Sequence, residues 1–182
     1  MQQIRSTSLL NKTNLNTNFI NNIGTTWANK IATVTWKVGG NTYANISQSV
    51  PATTYQNEIV NPVTTNTTDN ATTYSAKIGL MYVSEYGFAT EPSAWTTKLY
   101  SYDGSVNGST IRSQNWMHMG YYDWTISRNS DYSYIAFIVN STGDVHHNNV
   151  GNYIGVRPSF NLESSVSYVS GLGSMSDPIR IN

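Results

Sequence analysis

Apolar and polar positions alternate in several short stretches of the chain, and the pattern predicts a mixture of short helices and strands. The spacing of leucine, isoleucine and phenylalanine from Leu9 to Ile23 permits a short helix, with an extension to Lys30 as the longer alternative. Alternating β-formers that end at two glycines predict a strand over residues 33–38. Residues 61–73 have almost no apolar content, and we interpret them as an exposed loop, with a linker as the alternative.

The second half of the pattern is richer in strands. Residues 76–83 are apolar on both faces, which predicts a buried strand, and residues 84–89 predict a short helix after it. We expect the first and last strands to pair, with Trp36 beside Ile179. Further strands are predicted over 124–127, 135–140, 144–147, 155–162 and 178–181, with a tight turn at 141–144. The predicted core contains Ile78, Leu80, Tyr82, Trp124, Ile126, Ala136, Ile138, Val156 and Phe160.

Composition narrows the class of protein. Only 11% of the 182 residues are charged and the formal net charge is zero, whereas average domains have about 25% charged residues. Zero net charge argues against nucleic acid as a partner. The chain has no cysteine, which excludes disulfides and thiolate chemistry. No apolar run approaches the roughly 20 residues of a membrane span, so we expect no direct membrane insertion.

Residues 115–160 combine tyrosine with asparagine, serine and aspartate, a mixture typical of recognition surfaces. Tyrosine buries a large area at low entropic cost, and the polar residues supply adaptable hydrogen bonds. We therefore predict a solvent-facing contact surface rather than a catalytic pocket. The predicted ligand-binding residues are Trp116, Tyr121, Tyr122, Asn129, Asp131, Tyr132, Tyr134, Asn140, His146, His147, Asn148, Asn149, Asn152 and Tyr153.

Histidine and tryptophan in this region have more than one interpretation. His146 and His147 are neighbours on a predicted strand and should point to opposite faces, so we expect no metal site and no cofactor. Trp116, Trp124 and Trp95 either line a binding groove or fill the core, and Trp124 fits the core because it lies among strand residues.

Charged residues give little support for catalysis. A chain with ten acidic residues among 182 contains many possible carboxylate pairs, but nothing in the sequence fixes the distance between two of them, as a glycosidase would require. A nucleophile elbow of the Gly-x-Ser-x-Gly type is absent. We therefore predict that the chain is not an enzyme. Arg157, between Val156 and Pro158, is expected to point inward and donate to backbone carbonyls or a carboxylate.

Three blocks of sequence resemble a known family. They are residues 77–89, 115–128 and 155–181, which read KIGLMYVSEYGFA, NWMHMGYYDWTISR and GVRPSFNLESSVSYVSGLGSMSDPIRI. Together they resemble bacterial extracellular C-type-lectin-like domains of the formylglycine-generating-enzyme type, which are often attached to pilin-like segments. The Gly-Val-Arg-Pro sequence is also similar to the end of the variable region in proteins diversified by retroelements.

The chain also departs from these families. Formylglycine-generating activity depends on cysteines, which are absent here. Calcium-dependent sugar binding in lectins uses an amide ligand after Glu-Pro, and the corresponding stretch here is Glu91-Pro92-Ser93. The resemblance therefore implies neither that activity nor a calcium site.

Taken together, these observations predict an α+β, C-type-lectin-like fold with short helices, small and mostly antiparallel sheets, and long loops. We expect residues 1–35 to be a helical N-terminal segment, a junction to a pilin-like or anchoring part, and residues 36–182 to form the ligand-binding domain. The expected function is non-catalytic binding of a protein or glycan on another cell, a phage or a host. A pilin-like subunit that uses its surface for self-assembly is the alternative. We expect a bacterial extracellular or cell-surface location, with any leader or anchor outside this sequence.

Overall fold

The fold was analysed in a computed structural model, which describes residues 8–62, 73–103, 111–132 and 134–182. It is α+β, with short helices and small sheets, as predicted. Most of the predicted loop at 61–73 and the first seven residues of the N-terminal segment lie outside the described residues.

The helices are short, and several begin at a recognisable cap. Ser8 Oγ accepts a hydrogen bond from Asn11 N at 3.1 Å, and Thr42 Oγ1 accepts one from Asn45 N at 3.1 Å. Residues 9–19 and 56–60 have π-type hydrogen bonding, and residues 92–94 and 99–102 form 3₁₀ turns. In chain order the helices are α1 (Leu9–Phe19), α2 (Ile20–Asn22), α3 (Thr25–Ala28), α4 (Tyr43–Ile46), α5 (Pro51–Tyr55), α6 (Gln56–Val60), α7 (Val83–Phe88), α8 (Pro92–Ala94), α9 (Leu99–Tyr102) and α10 (Ile111–Gln114).

Ten strands form one four-stranded sheet and three two-stranded sheets within the described ranges. The strands are β1 (Val34–Lys37), β2 (Gly40–Asn41), β3 (Thr73–Ala76), β4 (Ile78–Leu80), β5 (Asp123–Asn129), β6 (Ile135–Val139), β7 (Val145–Asn149), β8 (Pro158–Phe160), β9 (Tyr168–Ser170) and β10 (Arg180–Ile181). The predicted helix at 84–89 and the predicted strands from residue 124 onward are confirmed to within a few residues.

The central sheet has the order β2-β5-β6-β7, with β2 parallel to β5 and the other pairs antiparallel. Side chains alternate between its two faces, and each face packs on a separate buried cluster. The first core includes Trp124 and Ile138, and the second includes Phe137 and Val139. Leu15 and Ile31, from the predicted N-terminal segment, lie in the first core beside Trp36.

The predicted pairing of Trp36 with Ile179 is wrong. β1 pairs with β3, placing Trp36 opposite Tyr74, and β10 pairs with β9. The Trp36 indole donates a hydrogen bond to the Ala76 carbonyl at 3.1 Å. Gly79 allows the ring to pack closely, since a Cβ there would lie 2.7 Å from it.

The predicted strand at 76–83 is interrupted. Lys77 separates β3 from β4, and its ammonium group donates to the carbonyls of Ala28, at 2.8 Å, and of Ile31. These contacts satisfy the lysine charge with backbone oxygens of the N-terminal segment. The polypeptide then leaves the sheet and enters α7.

The predicted core is confirmed for seven residues and wrong for two. Ile78, Leu80, Tyr82, Trp124, Ile126, Ala136 and Ile138 are buried in the first core. Phe160 is 47% exposed, because its side chain lines an open apolar groove with Trp27 and Ile179. Val156 is also exposed, in a shallow pocket beside Tyr153.

Candidate functional site

The predicted ligand-binding residues are divided between the two ends of β5. Trp116, Tyr121 and Tyr122 precede this strand, whereas Asn129, Asp131 and the following tyrosines lie at or beyond its other end. A seven-residue strand is about 20 Å long at 3.3 Å per residue. The predicted residues therefore form two separate areas of the surface.

Most of the predicted residues are accessible to a ligand. The prediction of solvent exposure is confirmed for Trp116, Tyr121, Tyr122, Asp131, Tyr132, Tyr134, His146, Asn149, Asn152 and Tyr153, and Asn140, His147 and Asn148 are half-buried.

Asn129 is buried, so its predicted role as a ligand contact is wrong. Its Oδ1 accepts hydrogen bonds from the N–H groups of Asp131, at 2.8 Å, and Tyr132, at 3.3 Å. Asn140 is engaged in a similar way, because its Nδ2 donates to Asp144 Oδ2 at 2.9 Å across the predicted tight turn. Both amides hold turns of their own chain, as Asn often does.

At the far end of β5, five residues form a surface that we call the Tyr132 corner: Tyr132, Tyr134, Asn148, Asn149 and Asn152. The Tyr132 and Tyr134 rings lie 5.8 Å apart between centroids. Asn152 Nδ2 donates to Asn148 Oδ1 at 2.6 Å, within one turn of chain. The polar side chains of this corner thus bond mainly to sequence neighbours.

His146 and His147 depart from the expectation that neighbouring strand residues point apart. Their rings stack with centroids 4.7 Å apart, and both lie against Tyr43. β7 is the outer strand of the sheet, so no further strand in the described part of the chain lies beside it to keep the two rings apart. Burial lowers the pKa of His147, and the neighbouring His146 adds to this effect. Within the described ranges, no three His, Asp or Glu side chains are placed to hold a metal ion.

The other end of β5 carries what we call the aromatic loop, residues 115–122. Trp116 is 78% exposed and Tyr121 is 72% exposed, and Met119 and Tyr122 are also exposed. Exposed apolar side chains scattered singly are ordinary, but four on one short loop mark a surface suited to interaction.

The aromatic loop is fixed at its start by a buried amide. Asn115 Nδ2 donates to the Tyr86 carbonyl at 2.8 Å, and Asn115 Oδ1 accepts from Met117 N at 2.9 Å. The backbone N–H of Trp116 donates to the Ala89 carbonyl at 3.1 Å. The most exposed residue of the loop therefore stands on backbone that is tied to α7 and the turn after it.

Arg157 holds the middle of the same loop. Its Nη1 donates to the Met117 carbonyl at 2.7 Å, and its Nη2 lies 3.0 Å from the buried carboxylate of Asp123. The prediction that Arg157 points inward to a carbonyl and a carboxylate is confirmed. Burial raises the pKa of Asp123, and the guanidinium of Arg157 opposes that shift. His118 Nε2 also lies 3.2 Å from the Ser141 carbonyl.

A groove of about 640 Å³ opens beside the loop, and we call it the Trp116 groove. Its walls come from α5, α7, the aromatic loop and β8. Among the described residues that line it, Glu85 is the only charged one. Glu85 Oε2 accepts the N–H of Tyr82 at 2.8 Å, which caps α7. The lining residues are Tyr55, Ser84, Glu85, Phe88, Ala89, Trp116, Met117 and Ser159.

Glu58 is a buried carboxyl group behind the start of α7. It accepts hydrogen bonds from Val83 N at 3.2 Å, from Ser84 N at 2.9 Å and from the Ser127 hydroxyl. Burial raises the pKa of Glu58, and these hydrogen bonds oppose the shift. Because Glu58 is enclosed, it joins α6, α7 and β5 and is out of reach of a ligand.

Sequence reasoning identified Trp116 but missed the rest of the groove. Tyr55, Glu85 and Phe88 come from segments outside residues 115–160, where no contact surface was predicted. Met119 was also missed, although its position among aromatic residues of the loop was a usable signal.

Comparison with family models, with curated proteins and with solved structures finds no match to this chain. Among the helices of the described residues, none has both the length and the apolar character needed to span a membrane.

Proposed function

We propose that this chain is a non-catalytic, extracellular ligand-binding domain of receptor or adhesin type, with the aromatic loop as its main contact surface. The observation that carries the proposal is the exposure of Trp116, Met119 and Tyr121 on backbone held by Asn115 and Arg157. Exposed aromatic anchors dominate binding energy in many interfaces. A rigid support lowers the entropic cost of binding, because the contact residues are already in place.

The site suits binding better than catalysis. The Trp116 groove has one carboxylate in its lining, whereas glycoside hydrolysis uses two flanking the scissile bond. The nearby carboxyl groups of Glu58 and Asp123 are buried and engaged by backbone N–H groups, a serine and an arginine. The domain as proposed needs no cofactor.

The finer fold and setting are part of the same proposal. Short helices around small sheets, together with the three family-like blocks, support a C-type-lectin-like fold. Low charge and high Asn, Ser and Thr content support a bacterial cell-surface setting. The partner would be a protein or glycan on another cell, a phage or a host. The Tyr132 corner, rich in Tyr and Asn, would then be the area where retroelement diversification adds specificity.

One observation favours the alternative of a self-assembling, pilin-like subunit. Leu172 is 88% exposed, and Tyr168, Val169 and Met175 beside it are also exposed. Apolar side chains grouped in this way suit contact with another copy. Light scattering across a range of concentrations distinguishes the two: assembly through this segment would increase the mass with concentration, and Leu172→Ser with Val169→Ser would prevent it.

The test of the proposed function is binding of a tetramerised, labelled domain to a panel of bacterial and host cells. One variant carries Trp116→Ser, Met119→Ser and Tyr121→Ser, and a matched variant carries Tyr132→Ser and Tyr134→Ser. We expect the loop variant to lose cell binding, and the corner variant to keep binding with altered cell preference. Retention of binding by a folded loop variant would contradict the proposal.

A further inference from the structure

The Trp116 groove combines a single negative charge with several π and thioether surfaces. Tyr55, Phe88 and Trp116 contribute aromatic rings, and Met117 contributes a polarizable thioether. Glu85 contributes the carboxylate. Aromatic faces attract cations through their quadrupole, with Trp the most effective ring. The groove is therefore complementary to a positively charged group that also has apolar surface.

The Glu85 carboxylate is not neutralised within the groove. Among the described lining residues there is no Lys, Arg or His. Arg157, which donates to the Met117 carbonyl of the loop, forms its ion pair with Asp123. Burial raises the pKa of Glu85, and the hydrogen bond from Tyr82 N–H is the opposing influence. A bound cation would supply the counter-charge.

The polar groups of the groove also indicate which kind of cation fits. A primary ammonium has three N–H donors that need acceptors. Besides Glu85, the described lining residues offer only the hydroxyls of Ser159 and Tyr55 as side-chain oxygen acceptors, because Ser84 is 1% exposed and its hydroxyl is buried. A quaternary ammonium has no N–H donor, and its methyl groups can pack on Phe88 and Trp116. Aromatic cages commonly recognise such groups.

We propose that the Trp116 groove binds a quaternary ammonium group of the choline type, with Trp116, Phe88 and Tyr55 around the methyl groups and Glu85 as counter-charge. A groove of about 640 Å³ is of the size that holds a small ligand. This inference rests on the proposed function, since it names the ligand chemistry of the same surface. A neutral sugar would gain no charge attraction from Glu85, and an anion would be repelled by it.

The experiment is calorimetric titration of the full chain with choline chloride and with 3,3-dimethyl-1-butanol, the uncharged carbon analogue of choline. We expect choline to bind about tenfold more tightly than the analogue, because only the cation gains from the ring faces and Glu85. Equal affinity for the two compounds, or no saturable binding of choline, would overturn the inference. This comparison uses the unmodified protein, so it does not depend on any variant folding.

Two variants assign the effect to the groove. Glu85→Gln keeps an oxygen acceptor for Tyr82 N–H and so preserves the helix cap, but it removes the charge. We expect it to weaken choline binding about tenfold and leave binding of the analogue unchanged. Trp116→Ala should weaken choline binding to a similar extent. The matched controls are Glu91→Gln and Trp27→Ala, at exposed positions outside the groove. Unchanged choline affinity in Glu85→Gln would overturn the inference.

Competition on cells separates this inference from the proposed function. If excess choline blocks cell binding of the labelled tetramer, the ammonium inference is supported. If the loop variant loses cell binding while choline does not compete, the ammonium inference fails and the binding function stands. If the loop variant keeps its cell binding, the proposed function itself fails.

Discussion

The aromatic loop and the Tyr132 corner expose similar residues at opposite ends of the central sheet, but they are held in different ways. The loop is fixed by Asn115 and Arg157, whose bonds reach Tyr86 and Met117, 29 and 40 residues away along the chain. In the corner, the side-chain amide hydrogen bonds span only two to four residues, and the longer ties are backbone bonds: the pairing of β6 with β7 and the bond from Val150 N–H to the Tyr134 carbonyl at 3.0 Å.

This difference separates two ways of building a contact surface. Long-range ties to the core hold the loop in one conformation, so its aromatic residues lose little freedom on binding. Local amide bonds allow the corner to change sequence without disturbing the core. The loop would therefore provide affinity, and the corner would provide adaptable specificity.

Removal of Arg157 should produce the largest loss of stability. Arg157→Ala leaves the buried Asp123 carboxylate without its ion pair and the Met117 carbonyl without a donor. Breaking a buried pair costs about 3–5 kcal/mol, and because Arg157 is partly exposed we expect about 2–3 kcal/mol. Urea denaturation measures the effect. Arg180→Ala is the control, because its exposed pair with Asp177 should contribute less than about 1 kcal/mol.

Replacing the buried Asn115 should affect a longer segment of the chain than replacing the buried Asn129. Asn115→Ala should cost about 2 kcal/mol, because the Tyr86 carbonyl and the Met117 amide lose their partner. Faster hydrogen exchange should follow across the aromatic loop. Asn129→Ala should cost about 1 kcal/mol and speed exchange only near Asp131 and Tyr132. If hydrogen exchange speeds up over equally long segments in both variants, the aromatic loop and the Tyr132 corner are not held in different ways.

Between the two ends, Glu58 should make stability depend on pH. Burial raises the pKa of Glu58, so the folded protein holds this proton at a higher pH than the unfolded chain. Its stabilising contribution is complete below the unfolded pKa, about 4.3, and is lost as the pH rises through the folded pKa. Glu58→Gln keeps an oxygen acceptor and removes the titration. The difference in unfolding free energy between wild type and variant should therefore change with pH, and a constant difference would contradict the assignment.

The smallest effects on stability are expected at the predicted contact residues that are exposed or half-buried. Tyr132→Ala, Tyr134→Ala, Asn148→Ala and Tyr153→Ala should each change stability by less than about 0.5 kcal/mol. Trp116→Ala and Tyr121→Ala should behave in the same way, although the proposed function predicts that they weaken ligand binding. Thermal melts of the single and combined variants are the measurement. If the quadruple variant unfolds while Arg157→Ala remains stable, scaffold and contact surface have been assigned in reverse.

Local patterns predicted a helix at 84–89, observed at Val83–Phe88, as well as most strands and the inward direction of Arg157, because periodicity and residue type carry that information. The β1–β3 pairing was missed because β3 lies next to a stretch with little apolar content, and strand pairing depends on distant segments. The Trp116 groove was missed for a similar reason, since separate segments meet there. The stacking of His146 on His147 was not predicted, because the sequence pattern does not show which strand lies at the edge of the sheet.

The position of β7 at the edge of the central sheet bears on contacts between neighbouring copies of the protein. The outer side of a sheet presents unpaired backbone N–H and C=O groups, which form a template on which another chain can add a strand. β7 reads Val-His-His-Asn-Asn, and the two imidazoles and Tyr43 pack together at this edge. Bulky and polar side chains there disfavour addition of a neighbouring strand. In the cell-surface setting proposed above, many copies would stand side by side without forming fibrils through this edge.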